Sequence, residues 1–480
     1  MAKTWTRRAL LRFAGVAGGA AALAACGATP TPQVVEKVVE KEVTKIVEGT
    51  PQVVKETVVV QETVVVERTV EVPAATQELK PIKLTHWQHH SDARAKTVEQ
   101  FVARFQDLHP NVTIDFQSIP WNDYWGKLAS GIAAGKGSAP DVFQIPMGLV
   151  GEYVLGGNLV PVSEQVITTK DIEDTYLAWT IERGKREGKY YGLPLDVQTL
   201  LPFRNDALFQ EVGLDPKKPY VDMADFYDQS LKLTKKANGV TDQIGCDTSY
   251  YCAWLTVLFQ QFLQREKGGT PWIDPKTNKL VWNDYPEIFQ DFEWFIKLST
   301  DTDDDAFLKG QSRFALGKVG ASLNHPVSRG SLKLQAPDLK YTITPFPKRK
   351  SDQKEYYTAG SHWMWVVGKW APDFEVAWQW VYFCTNKAAQ LVWTDVGGDL
   401  PSHKELVDDP KFRQDENAVV CMDSLKYASP WEWVGWAEWV KEMQDARDRV
   451  VIGGDDTRKS FETMIDNLNK VIETHTPKQS

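Results

Sequence analysis

An α/β fold divided between two lobes is what this sequence predicts, and three observations carry the prediction. From Ile82 onward, strand and helix patterns alternate, the arrangement of an open sheet wrapped by helices. The stretch that carries them, residues 81–480, is roughly 400 residues of ordinary globular composition, too long for a single hydrophobic core. It also contains no run long and apolar enough to cross a bilayer.

The elements follow in order. Ile82-Lys83-Leu84-Thr85 reads as a strand that ends at His86-Trp87-Gln88. Val98, Phe101, Val102, Phe105 and Leu108 line one face of a helix that Pro110 stops, and Val112, Ile114 and Phe116 alternate as a half-buried strand. Trp121-Asn122-Asp123 caps a second helix with Tyr124, Leu128 and Ile132 stacked at successive turns, closed by Gly135 and Gly137. Asp141 to Ile145 forms a third strand. Right-handed crossovers place ligand groups at the carboxyl ends of such strands, which is where Trp87, Gln88 and Gln144 fall.

Residues 1–26 read as an address. Thr6-Arg7-Arg8 leads into a short apolar, small-residue run ending at Leu23-Ala24-Ala25-Cys26. The arginine pair resembles a twin-arginine export signal and the ending resembles a bacterial lipobox, which implies cleavage and acylation of Cys26. Residues 27–80 follow as a low-complexity Val/Glu/Lys linker. Val34, Val35, Val38, Val39, Val43, Ile46 and Val47 recur at near-helical spacing, and Thr57 to Val72 suits an extended chain. A coiled-coil stalk is one reading; a charged spacer holding a domain away from the membrane is the simpler one.

The formal net charge is -9, with no basic cluster in the globular part, which argues against nucleic acid. Beyond Cys26, the cysteines Cys246, Cys252, Cys384 and Cys421 permit two disulfides outside a cell, and Cys246 with Cys252 is able to close a small loop. His86, His89 and His90 are close in sequence, yet no His-rich loop accompanies them, so neither metal nor cofactor is expected. Asp301, Asp303, Asp304 and Asp305 lack the Gly and distal Glu of a calcium loop and suit a solvated helix N-terminus; Lys348-Arg349-Lys350 suits a solvated turn.

A run of weak motifs in one order then resembles the extracellular solute-binding proteins of bacterial ABC importers, in particular the sugar-binding family that includes maltose-binding protein. Trp121 to Leu128 with Ala139-Pro140-Asp141-Val142-Phe143 is similar to its Tyr-x-x-Lys-Leu helix and Pro-Asp-Val strand. Gly188 to Pro194 and Phe203 to Phe209 look like the lobe crossing, with Phe203 and Arg204 departing from the usual Tyr and Asn. Phe314 to Ala321, Asn324-His325-Pro326, Pro345-Phe346-Pro347, Ala359 to Trp363, Ala377 to Val381 and Gly397 to Ser402 complete the series. The resemblance implies a type II periplasmic-binding-protein fold of the Venus-flytrap kind, with a ligand cleft between lobes of about 81–197 plus 335–371 and about 198–334 plus 372–475. It further implies a monomer that closes on a solute and delivers it to ABC permease subunits driven by a separate ATPase, at the outer face of the membrane or in the periplasm.

The 19 Trp residues favour a sugar, whose C–H faces stack on indole and whose hydroxyls need polar partners. Trp87, Trp121, Trp254, Trp272, Trp431 and Trp433 lie near predicted strand ends or loops, as does Trp363, which also suits a strand interior. Gln88, Gln144, Asp196, Gln198, Asn324, His325, Gly360 and Ser361 are placed to converge with them. Trp378, Trp380, Trp436 and Trp439 sit at helical spacing and read as core. Glycerol phosphates, polyols and metals remain alternative solutes, with Arg204 and Arg329 as candidate phosphate clamps. A secreted glycosidase is the alternative from another class, but no nucleophile, zinc or phosphate-loop motif is present.

Overall fold

The computed structural model describes residues 33–47, 50–64, 80–431 and 434–476. Two units divide the chain, Met1–Glu78 and Leu79–Ser480. In the first, Gln33–Val47 and Thr50–Val64 pair antiparallel along their whole length, with Lys41 opposite Glu56 and Glu42 opposite Lys55. The near-helical spacing of Val34 to Val47 is therefore overridden: β-branched residues restrict χ1 and favour the extended backbone. Cys26 and the export segment lie outside the described residues.

In the second unit, the strand expected at Ile82–Thr85 runs on to His89 and pairs parallel with both Val112–Ile119 and Val142–Pro146. These strands belong to a five-stranded sheet in the order Val112–Ile119, Ile82–His89, Val142–Pro146, Trp363–Val367, Leu193–Pro194. The helix Asp92–Leu108 buries Val98, Phe101 and Phe105 in a core with Val142, Trp365 and Trp380. Trp121–Ala134 begins directly after Pro120 and closes on Gly135, which takes a positive φ of 77°. Among the described residues no helix is long and apolar enough to cross a membrane.

A second five-stranded sheet is ordered Lys235–Ala237, Val240–Asp247, Val319–Asn324, Leu201–Asn205, Tyr341–Ile343. Phe203, Ile244, Val319, Leu332 and Ile343 fill the core on one of its faces. Between the sheets run three short crossing segments, Ala428–Pro430, Thr358–Ser361 and Gln198–Thr199, which pair into a small sheet of their own.

Two stretches change sides relative to the boundaries expected from the sequence. Tyr341–Ile343, placed in the first lobe, pairs with Leu201–Asn205 of the second sheet. The helices Phe374–Thr385 and Lys387–Gly397, placed in the second, bury Ala377, Trp380, Ala389 and Trp393 against the first. Apolar faces decide both, because each element buries its apolar side where the matching core is.

Among the described residues the cysteines form no disulfide. Cys246, Cys252, Cys384 and Cys421 sit on four different elements, all buried as free thiols that pack like small apolar residues. The aspartates at 301–305 stand at a helix C-terminus rather than an N-terminus. The helix is Pro286–Thr302; Asp303 is buried against Arg313, and the half-buried Asp305 pairs with Arg447. Arg349 likewise leaves solvent for a two-oxygen contact from its Nε to Asp291, at 2.9 and 3.0 Å.

Candidate functional site

The crossing segments set the floor of the candidate site. Gly360 pairs with Thr199 and Ser361 with Gln198, while the Trp431 amide donates to the Gly360 carbonyl at 2.8 Å. Gly360 has no substitute here: a Cβ would lie 2.7 Å from the Trp179 ring, which packs across the crossing.

One wall is aromatic. Tyr124 donates its hydroxyl to the Gln144 carbonyl and accepts from the Gln144 amide, pinning the helix Trp121–Ala134 to a strand end. That anchor presents Trp121 and Trp125, one turn apart, to Trp363. The Trp125 and Trp363 rings stack at 6.1 Å and 28°, and Trp121 meets Trp363 edge-on at 5.9 Å. His89 closes the group at 4.5 Å from Trp363 and 5.2 Å from Trp121. Trp121 keeps 42 % of its surface exposed, so this indole box opens to solvent.

Charge gathers beside it. Arg94, in the first turn of its helix, donates from one nitrogen, Nη2, to Asp196 Oδ2 and Asp399 Oδ1. Gln198 Nε2 donates to the same two oxygens at 2.9 and 2.8 Å, and its Oε1 accepts from the Val327 amide at 3.1 Å. The Trp363 amide donates to Asp196 Oδ1 at 3.0 Å. His325 bonds to the Thr199 carbonyl at 3.0 Å and the Tyr250 hydroxyl at 3.1 Å. Burial holds His89 near 3, and His325 and His362 near 4, so these imidazoles are neutral in ordinary solution. A cation at a helix N-terminus opposes the helix dipole, and the two carboxylates offset that cost.

Gln88 and Gln144 lie on adjacent parallel strands, one residue beyond the paired positions Trp87 and Phe143. Both side chains are fully buried, and their amide oxygens and nitrogens have no hydrogen-bond partner. Buried amides left unpaired cost about 1–3 kcal/mol each, so a polar guest or water is the natural partner.

Several candidates from the sequence fall elsewhere. Trp87 lies inside its strand, 8 % exposed, under Lys127 at 4.5 Å. Trp254 sits in the helix Tyr251–Arg265 among Phe226, Phe295 and Phe346, and Trp272 packs on Trp282 and Trp439, so both are core. Periodicity alone did not separate them from loop residues. Trp431 is buried at the crossing, near Tyr250 and Trp436. Asn324 donates to its neighbour Ser322 at 2.9 Å. Trp433 lies outside the described residues. Trp378 and Trp380 are core, as is Trp439, whereas Trp436 is half-buried. Arg204 spends its guanidinium on the Pro216 and Lys218 carbonyls and on Gln229; Arg329 pairs with Asp415. His86 packs between Phe116 and Trp365, on the opposite face of the strand from His89, and no metal-holding group of His, Cys, Asp or Glu occurs among the described residues.

Sequence reasoning missed Arg94, Asp399, Trp125 and His89 as parts of this site. Asp399 stood inside a recognised motif, and Trp125 one turn from Trp121 was the available signal for the second indole.

A family model described as bacterial extracellular solute-binding protein matches residues 100–419. A putative binding protein of Brucella abortus (strain 2308) is 22 % identical over 315 residues, 64 % of this chain and 72 % of that one. The galactooligosaccharide-binding protein of Bacillus subtilis (strain 168) is 22 % identical over 374 residues, 75 % of this chain and 82 % of its own. Among solved structures, the ABC substrate-binding protein Lmo0181 of Listeria monocytogenes, in complex with cycloalternan, superposes with a TM-score of 0.69 at 20 % identity, covering 82 % of this chain and 99 % of that one. That likeness shows a shared two-lobed α/β fold. With the family match extending over most of the second unit, the chain belongs to the bacterial extracellular solute-binding proteins.

Proposed function

We propose that the chain is the substrate-binding component of an ABC importer that captures a sugar or oligosaccharide between its lobes and delivers it to a permease powered by a separate ATPase. The observation that carries this reading is the open indole box of Trp121, Trp125 and Trp363, joined through the Trp363 amide to the polar cluster of Asp196, Gln198 and Arg94. Apolar faces and buried polar groups at close quarters are what a sugar ring requires. Arg204 and Arg329 are committed to internal partners, which weighs against a phosphate ester. Galactooligosaccharide-binding and cycloalternan-bound proteins among the relatives point the same way.

In this reading the three crossing segments are the hinge. Contacts made only when both lobes touch the solute shift the population to the closed form, and the chain releases its ligand unchanged rather than acting as an enzyme. A lipid on Cys26 holds it at the outer face of the membrane.

Thermal unfolding against mono- and oligosaccharides, with polyols, glycerol phosphates and divalent metals as controls, tests this. A native-state binder raises the midpoint with its concentration over its dissociation constant. A shift with one sugar and no product supports the reading; shifts with metal or phosphate ester alone, or disappearance of an oligosaccharide, overturn it.

A further inference from the structure

His325 follows the strand Val319–Asn324 and lies against the crossing, and each of its ring nitrogens has a partner. Nδ1 stands 3.0 Å from the Thr199 carbonyl oxygen, and Nε2 stands 3.1 Å from the Tyr250 hydroxyl. The two partners differ in chemistry. A carbonyl oxygen has no proton to give, so Nδ1 carries the hydrogen and donates it to Thr199. A neutral imidazole has only one N–H, and burial keeps this ring neutral in ordinary solution, its pKa lowered to about 4. Nε2 is therefore an acceptor, and the Tyr250 hydroxyl gives it its one proton. Tyr250 is left with lone pairs and nothing to donate.

Tyr250 comes shortly after the strand Val240–Asp247, at the carboxyl end where open α/β sheets place ligand groups. Its ring is half-buried, 5.7 Å from His325 and 6.5 Å from Trp431, whose amide bonds the crossing at Gly360. His325 in turn is near enough to Asp196 and Arg94 for both charges to act on its ring. The neighbouring Tyr251 is committed elsewhere, its hydroxyl 3.4 Å from Asp305 and its ring 5.0 Å from Arg447. Gln198 shows the same polarity as Tyr250, because both hydrogens of its Nε2 go to Asp196 and Asp399.

We propose that Tyr250 binds the solute through an acceptor-only hydroxyl, and that His325 is the positioning residue that fixes this polarity by holding the Tyr250 proton. The solute then presents a hydroxyl or N–H donor to Tyr250 Oη. An ether, carboxylate or phosphate oxygen at the same point sets lone pairs against lone pairs and is refused, since each group is left without a partner. A polyhydroxylated solute, with a proton on every hydroxyl, suits such a site; one recognised through its acceptors alone does not. His325 acts through Tyr250 and has no nitrogen left over for the solute.

The inference rests on the cleft as a sugar site for the identity of the donor, but the polarity of Tyr250 is read without a ligand. Nitrogen–proton NMR correlation of the histidine rings in the full chain, with the His325 signal assigned by its loss in His325→Phe, gives the tautomer. Nδ1–H is expected, and Nε2–H overturns the proposal. Titration calorimetry with malto-, manno- and galacto-oligosaccharides then reads the contact. For the sugar that binds, Tyr250→Phe keeps the ring and weakens affinity about three- to tenfold, the worth of one neutral hydrogen bond. Replacing single hydroxyls of that sugar by fluorine keeps an acceptor and removes the donor. At one position this weakens wild type by the same factor and costs Tyr250→Phe nothing further. Unchanged affinity in Tyr250→Phe, or fluorine tolerated at every position, overturns the proposal and leaves the sugar reading intact. If no sugar binds, that reading falls, and the tautomer alone decides the polarity of Tyr250.

Discussion

Replacing Arg94 by Met removes the cation while keeping most of its apolar stem. Asp196 and Asp399 then face each other with Gln198 Nε2 as the one donor they still share. Breaking a buried pair in this way costs about 3–5 kcal/mol, because the partner charges remain in a dry site. For a cooperative unit of roughly 400 residues the unfolding entropy is about 0.8 kcal/mol/K, so the melting midpoint falls by about 4–6 °C. The cost is capped if the lobes part and water reaches the carboxylates, and the loss then appears as an open chain rather than a lower midpoint. Calorimetric unfolding at pH 7.5, paired with small-angle scattering, reads both. In acid the deficit shrinks, since protonated carboxyls need no cation. Adding Asp399→Asn to Arg94→Met should recover much of the loss, and the double-mutant cycle isolates the coupling. A midpoint within 1 °C of wild type at pH 7.5, with an unchanged scattering profile, refutes the reasoning.

Other outcomes follow from the same geometry. Trp121→Ala leaves the melting midpoint nearly unchanged, because the ring is 42 % exposed, but weakens binding of the cognate oligosaccharide about fivefold by calorimetric titration. Gly330→Val places a Cβ 2.6 Å from the Gly397 carbonyl, where the helix Ser328–Gln335 of the second lobe meets Lys387–Gly397 of the first. Overpacking there costs about 1–3 kcal/mol and is read as weaker ligand binding with each lobe intact. The buried thiols, with Cys252 and Cys421 pushed up to about 12 by burial, should not react with a thiol reagent in the native state, and reductant should leave the midpoint unmoved.

Much of the fold was legible because it rests on local pattern. Val98, Phe101 and Phe105 mark a helix face, and Val112, Ile114 and Phe116 a strand, by spacing alone. The lobe boundaries were not, since nothing within Tyr341–Ile343 says which sheet it will join; that is settled by its pairing with Leu201–Asn205. The site divides similarly. Asp196 and Gln198 share a hydrogen bond and His325 bonds the neighbouring Thr199 carbonyl, but their partner Arg94 is 305 positions from Asp399, a separation at which no sequence period carries information. Trp254 and Trp125 show the limit from the other side: both are on helices, and only the packing around them separates a core indole from one stacked beside the exposed Trp121.

Isothermal titration of the chain with a panel of malto-, manno- and galacto-oligosaccharides, in wild type and in Trp363→Ala, tests the central claim most directly. Capture between the lobes predicts one site per chain for at least one oligosaccharide, no hydrolysis product, and a clear loss of affinity in Trp363→Ala. Absence of binding across the panel, or binding that Trp363→Ala leaves untouched, contradicts it.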